Sequence, residues 1–524
     1  MKGAKFLFFL IAGFFILPTQ AQNFDFSDVV DFQYRGAGSI TNKNEVQGYF
    51  IFFEKDRLSE DSTEFIVKIL DQNLNELTEK TITAEPSTGI ESVLFNGKSL
   101  MIKQFYPADK LLNFKVSRLD ISGELTELGT EEIEQHKNAR SHAHSIPGEG
   151  YVNVYGDKKG RAKLEYFGDD GNSWRYETPE DVKFEYLDYV ATDSSTIIFS
   201  AHRHNPVTAG DDAIEGIINK DHDGRGDYYL KAFDLNTGEI LYDKVMTFGG
   251  FDYKIDRGFV NPIKDEVWIT GDYFEKGHSE EAENSQGLFI MKITPDGEIL
   301  DSDFIPWDGK INRYSASYKK GKLKKGFLHF HDFVFLENGQ VFGIAEQYRK
   351  AFRAWGVAER AVTAGMAGHL TKVIVGDMFV FEFGNDAKLV KSTRARKPEK
   401  DHLPGKGPFG SLLIPGKKIG DMLTEMNAYN FSHASVNNES TKFTVFYYMK
   451  EDLTKKQEKQ YRREGRWILR TVGYQDRAYS KDKIYLTDGK KEGAEITVLP
   501  AKPGYVLIHE ESPEYSGLRL EKIK

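Results

Sequence analysis

The chain has 524 residues, 40% of them hydrophobic and 13% aromatic, with a formal net charge of −10 and a mean hydropathy of −0.51. It has no cysteine, which excludes disulfides, thiolate metal sites, a cysteine nucleophile and a lipid-modified N-terminal cysteine. The acidic balance argues against nucleic acid or anionic lipid as the main partner, and stability has to come from packing a large apolar core.

Residues 1–21 read as a secretory signal peptide. Lys2 and Lys5 give the charged start, Phe6 to Leu17 an apolar stretch too short to span a bilayer, and Thr19 and Ala21 a small-residue cleavage site. The expected mature chain, residues 22–524, starts at Gln22, and loss of the two lysines takes its charge from −10 to −12. An exported protein, periplasmic or extracellular, is predicted. No later stretch offers the roughly 18 consecutive apolar residues of a spanning helix, so no transmembrane segment is expected after cleavage.

Further along, one unit recurs: an alternating apolar strand, a tight turn with Gly, Asn or Asp, and a second strand. It begins at Phe65, Phe114, Tyr229 and Phe289, with looser copies at Leu164 and Phe379. A second hairpin precedes each, at Ser92, His144, Tyr189, Gly258 and Asp332, and later at Ser435 and Ile496. Turns such as Asn96-Gly97, Asp296-Gly297 and Asn338-Gly339 supply the positive φ that tight hairpins need. Two hairpins in succession make a four-stranded antiparallel sheet, which cannot cover both faces unless neighbours stack on it. An all-β fold follows: a β-propeller of about eight blades, seven or eight, with two separate β-sandwiches as the alternative. The final hairpin, Tyr505 to Lys524, lacks an outer strand, and the segment from Phe24 to Gly36 is placed to supply it and close the ring.

The string Asp169-Asp170-Gly171-Asn172-Ser173-Trp174 resembles the Asp-box of sialidase-like propellers, with Phe167 where the pattern has its first Ser. That resemblance implies an Asp tying the turn and a Trp between blades. It does not imply sialidase activity, because the arginine motif of those enzymes is absent. As a whole, the Gln20-Ala21-Gln22 region and the strand-turn-Gly-Glu hairpins make the chain similar to large exported proteins of Bacteroidota-type bacteria, which implies an envelope or extracellular address.

With strands lettered A to D from the channel outward, A–B and C–D turns share one face, and B–C and D–A connections share the other. The long insertions, at about 204–227, 274–286, 308–326, 349–376, 391–430 and 451–466, all fall in the second set, so one face is decorated and the other bare. Elaborated loops on a rigid scaffold are where function tends to sit. The basic runs Lys391 to Lys400 and Lys455 to Arg466 read as solvated faces. The Ala-rich segment from Ala351, with Trp355 and Met366 near helical spacing, reads as a short helix pair or lid.

Histidines recur two apart, as at 142/144 and 329/331. His142, His144, His331, His433 and Arg257 all fall near the start of an A strand, hence near the channel mouth on the decorated face. Imidazoles from separate blades meeting there could hold zinc. Asp221, Asp223 and Asp227 place carboxylates around two glycines in a loop that resembles the calcium loops of some propellers, with Arg225 where those have a further Asp. Neither cofactor is implied strongly by spacing. Two functions remain open: a non-catalytic binding or scaffold propeller recognising a protein or glycan through Arg257, Tyr273, Tyr348, Arg349 and Trp355, or a glycan or peptide hydrolase. The hydrolase would use a histidine-bound metal or carboxylates such as Asp272 and Glu346 at the ends of B strands.

Overall fold

The computed structural model describes residues 23–25, 33–42 and 45–523. Excepted are stretches of one or two residues and the segments 135–139, 204–226, 247–249, 276–284, 308–326, 353–370, 403–415, 452–466 and 487–494. Within it the hairpins pair in chain order into eight antiparallel sheets. The inner strands are Gln33–Asn42, Gly89–Phe95, Arg140–Ile146, Glu185–Thr192, Asp252–Asn261, Phe327–Phe335, Phe431–Val436 and Glu495–Pro500. Neighbouring inner strands touch in succession from blade 4 to blade 8, and again from blade 8 through blades 1 and 2 to blade 3. The inner strand of blade 4 packs on the second and third strands of blade 3, so the ring is closed. The eighth blade takes its outer strand from the start of the chain: Asn23–Asp25 pairs antiparallel with Gly517, Leu518 and Arg519.

Residue choice follows position in the ring. Middle strands are sandwiched by both neighbours and run apolar without alternation, as in Glu266–Phe274 and Gly287–Ile293, where all but one residue is buried. Outer strands face solvent, and Ile240–Val245 buries only Tyr242. Each seam between blades carries its own hydrophobic cluster. Trp268 packs with Phe330, Phe333 and Phe381 between blades 5 and 6, and Tyr49, Ile51, Leu507 and Leu518 join blades 1 and 8. The Asp-box-like hairpin behaves as its residues suggest. Asp170 accepts from the Asn172 amide at 2.9 Å, and Asp169 reaches the neighbouring blade, accepting from Ser99 Oγ at 2.8 Å. Trp174 stacks on Phe233 and donates to the Leu235 carbonyl at 2.8 Å.

Two departures from the sequence reading lie over blade 6. In the segment 349–376 the described residues are strand: the hairpin Val341–Phe352 and Thr371–Phe383 stays paired to Phe352↔Thr371, so a helix pair beginning at Ala351 is not what its base shows. The insertion after blade 6 returns a short strand, Lys400–His402, onto Val373–Val375 and then forms the helix Gly416–Glu425. Ile419 and Leu423 of that helix share a small core with Tyr348, Val373, Val375, Ala428 and Tyr429. The fit is close enough that a Cβ on Gly420 would stand 2.6 Å from the Tyr348 hydroxyl.

Candidate functional site

The strand ends that flank every long segment outside the description belong to B–C or D–A connections, so all are anchored at one face of the ring. On that side, five inner strands carry a β-bulge at or before their midpoint. The extra residue is Arg35, Glu91, Asp256, His331 or Ser432. A bulge re-aims side chains away from strict alternation and recurs next to functional sites. Here four of the five residues at the bulges are ionisable.

At blade 6 the bulged His331 leads into a buried polar network. Its Nε2 lies 3.2 Å from Glu346 Oε2, and its ring stacks on Phe431 at 4.7 Å. Glu346, on the second strand, is fully buried and pairs with the equally buried Lys397. Lys397 Nζ also donates to Asn430 Oδ1 at 2.6 Å, and the Asn430 backbone amide donates to Glu346 Oε2 at 3.0 Å. The Asn430 side-chain amide donates to the Tyr448 carbonyl at 2.7 Å, carrying the network into blade 7. Burial alone would raise the pKa of Glu346, but Lys397 and the His331 bond outweigh it and hold the carboxyl at about 2. Burial pulls Lys397 below the usual amine range against the pull of Glu346. His331 is likewise lowered by burial. The network is closed on itself, so its work is to lock the start of blade 7 against blade 6.

The neighbouring channel residues are different in kind. Arg257 Nη1 donates to the His331 carbonyl at 3.0 Å, and its charge is felt at His144, His331 and Asp332. Asp332, His144 and His433 are enclosed by protein yet only half-buried by surface, as expected of groups lining a channel. Burial pushes Asp332 up to about 6, with the Phe333 amide and Arg257 opposing. It pushes His144 down to about 3, helped by His142, Arg257 and Lys103, and His433 down to about 3.

The four histidines do not assemble a metal site. Among the described residues no group of three or more His, Asp or Glu could hold an ion. Three of the rings pack on aromatics instead: His144 stacks on Tyr189 of the next blade at 4.6 Å, His331 on Phe431 of the next blade at 4.7 Å, and His433 on Phe446 of its own blade at 4.6 Å. Asp221 and Asp223 lie outside the described residues, and Asp227 opens the strand Asp227–Asp234. Two of the expected aromatic ligand contacts are core instead. Tyr273 is buried against Phe251 and Phe304, and Tyr348 against Phe327 beneath the helix, so both are core. Arg349 is half-buried and Trp355 lies outside the described residues. Of the described members of that set, Arg257 lies on an inner strand, beside His331.

A model of a family of unknown function matches residues 1–524. The chain belongs to that family, DUF6770. None of the curated proteins matches it. Among solved structures the DUF6770 chain is similar to the WD40 domain of SCAP from fission yeast, at 8% identity, covering 96% of this chain and 98% of that one with a TM-score of 0.39. It is similar to apo prolyl oligopeptidase B from Galerina marginata at 11% identity, covering 91% of this chain and 55% of that one with a TM-score of 0.37. An apocarotenoid oxygenase variant from Synechocystis matches at 10% identity over 71% of this chain and 93% of that one, with a TM-score of 0.31.

In this DUF6770 propeller the partners of Glu346 escaped the sequence reading. Lys397 sits in a basic run that reads as a solvated face, and Asn430 closes an insertion that reads as loop. They stand 51 and 84 residues from Glu346, so no local spacing points to either.

Proposed function

We propose that this protein is a non-catalytic binding propeller of the bacterial envelope or exterior that recognises a protein or a glycan with its decorated face. The observation that carries the reading is the common anchoring of every long connection around a channel mouth where Arg257, Asp332 and His144 come together. A rigid ring holding varied loops above a polar mouth suits recognition, and a guanidinium there suits a carboxylate or a sugar hydroxyl. The reading of residues 1–21 as a secretory signal peptide supports the address. The test is a glycan array and an acidic-peptide array probed with the mature protein and with Arg257→Ala. Saturable binding lost in the variant supports the reading, and turnover of a bound glycan or peptide overturns it.

One observation favours a hydrolase as the second reading. A carboxyl with a pKa near 6 at a channel mouth is matched to general-acid work. Under that reading Asp332→Asn abolishes cleavage while leaving binding in place.

A further inference from the structure

At two seams of the bare face, between blades 3 and 4 and between blades 4 and 5, the C–D turn of one blade presses a glycine onto an aromatic side chain of the outer strand of the blade before it. A Cβ on Gly238 would meet Trp174 at 2.6 Å, and one on Gly297 would meet Tyr242 at 2.8 Å, both at positive φ. The aromatic ring fills the corner, and the glycine lets the backbone lie on it. Between blades 6 and 7 both parts of the plug are replaced. Lys391 pairs with Glu382 at the register where Tyr242 pairs with Ala232. The turn of blade 7 is shortened to Asp476-Arg477, between the paired Gln475 and Ala478, with φ of 50° and 64° on non-glycine residues.

A cavity of about 420 Å³ opens in the gap, within the size range of small-ligand sites. Its polar side chains are already aligned. Gln340 is held by Asn338 Nδ2 at 2.7 Å and by the Tyr474 hydroxyl at 3.1 Å, and donates to Glu382 Oε1 at 2.9 Å. Val390, 61% exposed, adds an apolar wall. Lys391 sits 5.2 Å from the centre of the Tyr479 ring, and among the described residues neither Lys391 nor Arg477 meets a carboxylate. Two cations that close no ion pair among the described residues, beside a row in which the Glu382 carboxylate is already engaged by Gln340, match a ligand with one carboxylate and several hydroxyls. Strained backbone at a non-glycine turn is a mark of functional positions. Glu382 and Tyr474 stand on strands paired on both sides, so the polar row offers a peptide backbone no open ladder, and the open edge lies on the outer strand of Val390 and Lys391.

We propose that the seam of blades 6 and 7 on the bare face is a binding site for a carboxylated saccharide of the uronate type, with Arg477 and Lys391 on the carboxylate and Gln340, Asn338 and Glu382 on the hydroxyls. The site is separate from the decorated face. It is tested by calorimetric titration of the full chain with digalacturonate, with the neutral galactose disaccharide and with a glutamate tripeptide. Digalacturonate is expected to saturate one site and to bind at least tenfold more tightly than the neutral sugar. Arg477→Gly, which suits the positive φ and so keeps the thermal midpoint, should weaken binding at least tenfold. Lys98→Ala, an exposed cation on the same face outside the cavity, should not change it. The proposal fails if digalacturonate gives no saturable heat, if the neutral sugar binds equally well, if Arg477→Gly binds like the parent, or if the tripeptide is the ligand that saturates.

Discussion

Removing the ammonium of Lys397 should expose how much the ring depends on the fully buried acid–base pair at the seam of blades 6 and 7. Glu346 and Lys397 both have side chains with no exposed surface, and breaking such a pair from one side costs about 3–5 kcal/mol because the other charge is left uncompensated. The shift of the Glu346 carboxyl gives an independent figure. Lowering from 4.5 to about 2, at about 1.36 kcal/mol per unit, corresponds to about 3 kcal/mol. Sign follows from direction: a depressed folded pKa stabilises above the unfolded value and is lost as pH falls from about 5 towards 2. Lys397→Met should therefore cost about 3–5 kcal/mol at pH 7 and less at pH 4, where Glu346 can take up a proton. Glu346→Gln strands Lys397 in turn, with Asn430 Oδ1 as its remaining partner. The double variant should recover at least about 2 kcal/mol of the summed single losses. Guanidinium unfolding followed by tryptophan fluorescence at both pH values reads all three. Single losses under about 1 kcal/mol that add within about 0.5 kcal/mol in the double variant would refute the reasoning.

Asp332 should show the opposite sign. Its raised pKa of about 6 means that stability is full below about pH 4 and falls as pH rises through 6, so Asp332→Asn should gain about 1–2 kcal/mol at pH 8, after discounting for its partial exposure, and almost nothing at pH 4. His144 and His433, each held at about 3, should keep constant ring shifts by NMR between pH 5 and 8, and their contribution to stability should fade only as pH drops from about 6.5 towards 3. Gly238→Ala forces a Cβ into Trp174 at φ 72° and should cost about 2–3 kcal/mol, whereas Gly171→Ala at φ 88°, with nothing within 4 Å, should cost about 1 kcal/mol, compared by thermal midpoint. A chain lacking residues before 32 should lose hydrogen-exchange protection at Gly517, Leu518 and Arg519, the partners of Asn23–Asp25.

The ring was legible because its information is local and repeated. Alternating strands bounded by Asn-Gly and Asp-Gly turns give the hairpins, and Gly97, Gly297 and Gly339 indeed sit at φ of 100°, 77° and 81°. The missing outer strand of the final hairpin pointed to the chain start for the same reason. What was illegible is what depends on three-dimensional neighbours. Tyr273 and Tyr348 lie in the later part of their B strands, as ligand contacts near the mouth would, and only the packing of Phe251, Phe304 and the helix Gly416–Glu425 turns them into core. The helix itself is a ten-residue segment opening with Gly and two lysines, too short to give a clear periodic signal inside a long insertion. The histidine rings pack on aromatics of the same or next blade, and even His329 and His331, whose rings meet edge to face at 4.9 Å, gather no third ligand among the described residues.

Borrowing the rim of the eighth sheet from residues 23–25 sets a timetable for assembly. The last paired register, Asn23↔Arg519, joins positions almost the whole chain apart, so it is a slow, late event in a sequence of otherwise short-range hairpins. Until it happens, the flank of the first sheet that carries Tyr49, Ile51 and Phe53 has no Leu507, Leu518 or Leu520 to cover it. A half-made molecule therefore offers a sticky, strand-ordered surface to any second copy at the same stage, and the greatest hazard in this protein's life falls in the interval just before its two ends meet.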